Sequence, residues 1–203
     1  MKIIKELFRY REMIFSLIRK DLRGRYKGSV LGFFWTFLNP LLQLVVYTVV
    51  FSVLFPTTLE KFYIFLFVGL VPWLFFNTSL VGGATSITSQ ENLIKKIYFP
   101  RQVLPISYVS SAFINMLLTF IVIFAVLIFS GFGIDFMILW ALPIVMLVEY
   151  ILVLGIAMIT SALTVFFRDL EYVLGIIGML WMYLTPILYE IETIPEEYQK
   201  YIY

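Results

Sequence analysis

The chain contains no cysteine and no histidine. Without cysteine there are no disulfides and no thiolate chemistry. Without histidine the commonest metal ligand and the commonest general base are missing, which argues against a metal site and a serine–histidine hydrolase. Charge is also scarce. Asp, Glu, Lys and Arg make up 14% of the residues, against about a quarter in a soluble domain. No G-x-x-x-x-G-K-[ST] loop occurs, so the chain does not hold ATP in that way. The apolar stretches carry no cluster of acids of the kind that often marks a cation-coupled transporter. Energy for any pumping is therefore expected from another subunit. No nucleic-acid partner is expected.

What is present is apolar surface. Hydrophobic residues make up 62% of the chain, and the mean hydropathy is +0.96. A soluble domain of this length would have to leave much of that surface in water. Lipid as solvent removes the difficulty, and in lipid only closed hydrogen-bonding schemes such as helices survive. The expected fold class is all-α, a polytopic transmembrane helical bundle with an N-terminal amphipathic interface helix.

Residues 1–27 hold nine of the fifteen Lys and Arg residues, with Glu6, Glu12 and Asp21 against them. The apolar positions Ile3, Ile4, Leu7, Phe8, Ile14, Phe15, Leu17, Ile18 and Leu22 fall mostly at steps of three and four, one helical face. This pattern reads as a helix lying in the interface on the anionic side of a membrane. It also fits an ordinary amphipathic helix packed on soluble protein. No continuous apolar core follows early enough for a signal peptide.

A transmembrane domain is expected over 28–203, with spans at about 30–55, 62–82, 103–129, 136–167 and 173–189. The fourth is long for one crossing and is expected to tilt or break. Trp35, Trp73, Trp140 and Trp181 lie toward span ends, where aromatic belts form. With the N-terminus inside, the inner segments carry thirteen basic residues and the outer ones only Lys61 and Lys200, a strong positive-inside bias. Residues 190–203 read as the start of a further outer element.

Between the second and third spans, Thr88 and Glu91 fit a capping box. Leu93, Ile94 and Ile97 then form a short apolar face beside Lys95 and Lys96, and Pro100 stops the helix. This piece, about 88–100, reads equally as a lever received by a partner and as a helix resting on lipid headgroups. In the first span Thr36, Asn39, Gln43 and Tyr47 share one helical stripe. The stripe could line a polar conduit, or act as interhelical glue worth about 0.6 kcal/mol per bond. Glu149 lies about 20 Å into the fourth span. It should be protonated or partnered there, by polar groups such as Asn39, Gln43, Asn115 or Thr160. It fits a structural role, or a proton or substrate role. Arg168 and Asp169, side by side at the end of that span, could cap facing helices or form a plain loop. Aromatics make up 19% of the chain; tyrosines in the spans could present flat faces to sugar rings.

Four stretches together resemble one family, the permease subunits of ABC-2-type exporters for O-antigen, teichoic acid and capsular polysaccharides. They are DLRGRYKGSVLGFFWTFLNP (21–40), NLIKKIYFPRQVLP (92–105), FFRDL (166–170) and YLTPILY (183–189), in the family's order from end to end. The resemblance implies a homodimer in a bacterial or archaeal cytoplasmic membrane, carrying ABC ATP-binding subunits that hold the ATP and magnesium; this chain would carry no cofactor and perform no covalent chemistry. It implies a coupling element at Glu91, Asn92, Leu93, Ile94, Lys95, Lys96, Ile97 and Arg101. Arg19, Lys20, Arg23, Arg25 and Lys27 would meet the diphosphate of an undecaprenyl-diphosphate-linked glycan. Facing first and fifth spans would form a channel, with Trp35, Thr36, Asn39, Gln43, Tyr47, Trp181 and Tyr183 as lining candidates. Family members have six spans, so the resemblance also implies a chain that continues past Tyr203. Rival readings are an exporter of drugs or simple lipids, a membrane-embedded transferase, for which Glu149 alone is a poor catalytic set, and a non-transporting assembly protein.

Overall fold

The computed structural model describes residues 2–25, 28–50, 62–129 and 136–187. Lys27, the outer ends of the first and last expected spans, and the expected outer helices at 190–203 lie outside the described residues, as does the side chain of Tyr47. Among the described residues all regular structure is helical: α1 Lys2–Arg9, α2 Arg11–Gly24, α3 Trp35–Val49, α4 Phe62–Thr85, α5 Glu91–Lys96, α6 Val103–Phe129, α7 Phe136–Phe166 and α8 Leu170–Leu184.

Among the described residues, three helices are long and apolar enough to cross a bilayer: α4 from Leu66, α6 along its whole length, and α7 from Trp140. α7 runs unbroken through Pro143. α8 is apolar but has 15 residues, about 22 Å, short of the ~30 Å of hydrocarbon. α3 also shows 15 residues before the described part of that span ends.

α4 is the central helix. It packs against α7, α6 and α8. Leu66, Phe67, Leu70, Val71, Phe75, Phe76 and Leu80 are buried on it, against Val109, Ala112, Met116 and Phe120 of α6, Val153 and Ala157 of α7, and Leu174 of α8. Its apolar residues run all round the helix because most of its circumference meets protein, with Leu74 and Thr78 on the exposed side. Small residues permit the closest approach, as is usual between membrane helices. A Cβ added to Gly83 would lie 2.8 Å from Ala157 Cβ. The outer faces of α7 and α8 remain strongly apolar, with Ile144, Val148, Ile151, Ile159, Ile176 and Leu180 exposed, as lipid requires. Several hydroxyls within the spans bond to their own helices: Thr119 donates to the Asn115 carbonyl, Thr160 to Ile156 and Thr164 to Thr160.

The N-terminal segment forms two helices where one was expected. Tyr10 interrupts them, its backbone at φ −97° and ψ 16° and its amide shared between the Glu6 and Leu7 carbonyls. The expected single apolar face is divided. Leu7, Tyr10, Met13, Ile14 and Leu17 pack on a second, smaller core built from Phe99, Val103 and Leu104. Phe8 and Phe15 point away and are exposed; the Arg11 guanidinium sits 4.7 Å over the Phe8 ring. Ahead of α3 the chain turns at Gly28 and Gly32, both at positive φ (88° and 48°), where a side chain would be strained. The Trp35 indole donates to Ser29 Oγ at 2.7 Å across this turn.

Candidate functional site

α1, α2, α5 and the start of α6 gather at one end of the bundle, which is also its most basic end. α5 has the place expected of it and a different anatomy. The capping box does not form. Thr88 stands in a 3-10 turn, Thr88–Gln90, that leads straight into α5, and its hydroxyl donates back to the Thr85 carbonyl at 3.0 Å. Glu91 instead pairs forward with Lys95, Nζ to Oε1 at 2.6 Å. That hydrogen bond, then the Lys95 charge, holds the Glu91 carboxyl below its ordinary 4.5, and Arg168 adds to the effect. Leu93 and Ile94 are half-buried against the chain itself, beside Phe99 and the inner face of α1 and α2. The exposed side chains of this segment are Glu91, Asn92, Lys95, Lys96, Ile97 and Tyr98. Tyr98 is 92% exposed, and the sequence reading did not single it out.

Arg101 and Arg168 line one cleft beside α5, together with Glu91, Ile94 and Glu171. Arg168 thus faces the α5 region. Arg168 and Asp169 form no ion pair among the described residues, and Asp169 makes no side-chain cap on α8.

The basic residues of α2 line more than one cavity. Lys20 and Arg23 line a cavity of about 660 Å³ between α2, α6 and the α4–α5 turn, with Ser86, Ser89, Gln90 and Tyr108 around them. Lys20 Nζ donates to Gln90 Oε1 at 3.3 Å. Arg19 lines a separate groove with Phe15 and Leu22, which Arg23 also reaches. Arg25 turns to Asp21, Nη2 to Oδ2 at 3.4 Å. The same Asp21 carboxylate accepts from Ser111 Oγ on α6, a fully buried side chain.

Asp21 is therefore a pin between the amphipathic helix and a membrane helix, and sequence reasoning missed it. Its one signal is an acid inside a basic run. Asp21→Ala should lower thermal stability by about 2 kcal/mol, the range for a hydrogen bond to a charged group. Asp21→Asn should retain part of this, since its amide oxygen still accepts from Ser111. Thermal unfolding of the detergent-solubilised protein checks both; equal stability of Asp21→Ala and wild type would refute the pin.

Thr36, Asn39 and Gln43 come together as their spacing predicts. They line a cavity of about 230 Å³ with Thr78 of α4 and Asn115 and Thr119 of α6. α3 packs on α6 and α4 while α8 packs on α4 and α7, so Trp181 and Tyr183 stand apart from that stripe. Trp181 packs edge-on against Phe76, centroids 5.2 Å apart, and Tyr183 is exposed. Glu149 is half-buried on α7 and forms no hydrogen bond or ion pair among the described residues. The partners expected for it stand elsewhere: Asn39, Gln43 and Asn115 line the cavity between α3, α4 and α6, and Thr160 bonds within its own helix. No group of His, Cys, Asp or Glu among the described residues could hold a metal.

A basic end with a short exposed helix, joined to a bundle of long apolar helices, is the architecture of a transporter's membrane part. The ABC-2 type transporter family matches residues 12–203, and the chain belongs to that family; it is a multi-pass membrane protein. It is similar to the O-antigen export system permease protein RfbA of Myxococcus xanthus, 37% identical over 199 residues, covering 97% of this chain and 75% of that protein. Two proteins of the same name from Klebsiella pneumoniae are 37% and 35% identical over 187 residues, covering 92% of this chain and 72% of each.

Proposed function

We propose that the chain is the membrane-spanning permease subunit of an ATP-driven exporter that moves a lipid-linked polysaccharide across the cytoplasmic membrane. The likeness to O-antigen export permeases along nearly the whole chain carries this reading. The basic end, with α1, α2 and α5, faces the cytoplasm, in keeping with the positive-inside bias. An ABC ATP-binding subunit docks there on the exposed side of α5. Two copies of the permease pair in the membrane. Lys20 and Arg23, with the hydroxyls around them, receive the anionic diphosphate of the lipid carrier. ATP-driven closure of the partner pushes α5, and the second core passes the displacement to α2 and the head of α6.

Purifying the permease with its ATP-binding subunit and measuring ATP hydrolysis tests this. Added polyprenyl-diphosphate-linked glycan should raise the rate severalfold. A complex that ignores the glycolipid, or a permease that recovers no ATP-binding partner, removes the exporter reading.

A further inference from the structure

Six neutral hydrogen-bonding side chains meet between α3, α4 and α6 without bonding to one another. Thr36, Asn39 and Gln43 come from α3, Thr78 from α4, and Asn115 and Thr119 from α6. Thr36 is 3% exposed. Its Oγ1 and the Oδ1 of Asn115 are buried with no hydrogen-bond partner among the described residues, a state that native folds avoid. Asn115 Oδ1 can only accept, so whatever completes it must donate.

Water meets part of that need. The cavity, about 230 Å³, has room for about seven waters at ~30 Å³ each. Water gains nothing from the rest of the wall, however, where Phe75, Leu74 and Met116 contribute apolar surface. The lining is amphipathic in the way a pyranose is: hydroxyls round a rim, and C–H faces that settle on aromatic and aliphatic groups. Arg25 stands among the same lining residues. One of its N–H groups is directed at Asp21, and its other donors have no partner among the described residues. A guanidinium with free donors suits phosphoryl oxygens.

We propose that this cavity binds one sugar ring of a phosphorylated saccharide, with its phosphoryl group toward Arg25. The ligand is a soluble sugar phosphate or the head of a lipid-linked glycan. Its place in export rests on the reading above; the binding itself does not.

The test uses the full-length permease with its ATP-binding subunit in nanodiscs, and three probes: N-acetylglucosamine 1-phosphate, polyprenyl diphosphate bearing one N-acetylglucosamine, and bare polyprenyl diphosphate. Thr36→Val and Asn115→Leu each remove one unpaired atom at similar volume. Both should weaken the sugar-bearing probes at least tenfold and leave the bare lipid unchanged. Binding of the soluble probe that the variants abolish supports the cavity with a free ligand; binding of the lipid-borne sugar alone supports it with a membrane ligand. Equal affinity for wild type and both variants, or for lipid with and without sugar, means that only water occupies the cavity and overturns the proposal. A reporter at Gln43→Cys, in a chain that has no other cysteine, covers the case of a variant that fails to fold. Sugar-bearing probes should slow its maleimide labelling, and an unchanged rate overturns the proposal as well. If glycolipid fails to stimulate ATP hydrolysis while sugar binding remains sensitive to the variants, export fails and the cavity stands; the reverse pattern removes the cavity and keeps export.

Discussion

Changing Ile97 and Tyr98 together to aspartate should strip the ATP-binding partner from the purified complex. Both side chains are large, at least half exposed and adjacent, at the end of a helix whose inner face is already occupied by its own chain. A buried aromatic or aliphatic anchor in a protein interface is commonly worth 2 kcal/mol or more, about thirty-fold in affinity for each side chain. The permease alone should keep its thermal stability, because exposed positions contribute little to folding. Leu93→Asp is the informative contrast. Leu93 is half-buried on the pad that also supports α1 and α2, so its change should lower stability as well as partner binding. Co-purification and thermal unfolding together separate the two cases. A double variant that still carries its partner at full occupancy would move the docking surface away from α5.

Gly83→Leu should prevent recovery of a folded monodisperse protein. At this crossing of α4 and α7 even a methyl carbon would stand 2.8 Å from Ala157 Cβ, and both backbones belong to long helices that cannot retreat separately. Overpacking a tight core costs about 1–3 kcal/mol for added methylenes, and a whole isobutyl group at the central helix exceeds that. Gly83→Ala should be milder, and Ala157→Gly should relieve it by returning the volume. Size-exclusion profiles and unfolding midpoints of the single and double variants check this. Wild-type behaviour of Gly83→Leu would mean that the two helices do not touch there.

Much of this was legible in the sequence, because long apolar runs admit one solution in lipid. The boundaries of α6, and the position of α5 between two spans, follow from proline, glycine and the length of the runs. Facing was harder to read. Phe8 and Phe15 fit the same periodic stripe as Leu7 and Ile14, yet a break at Tyr10 and packing on Phe99 and Leu104 leave them outside. Thr88 and Glu91 have capping-box spacing, but the residue that leads into α5 is Gln90, at φ −108° and ψ 26°, and the Thr88 hydroxyl donates back to the Thr85 carbonyl, so Thr88 does not stand at the helix start. The polar stripe of α3 was visible; that it turns inward to α4 and α6 depends on partners far away in sequence. Asp21 stood out only as an acid in a basic run; its role comes from Ser111, ninety residues on.

The small core of Phe99, Val103 and Leu104 gives the basic end a foundation of its own. α1, α2 and α5 all rest on it, while the main core lies around α4. Three short helices that share one footing make a unit of their own beside the core around α4, and the two are tied along α6, where Asp21 of α2 meets Ser111.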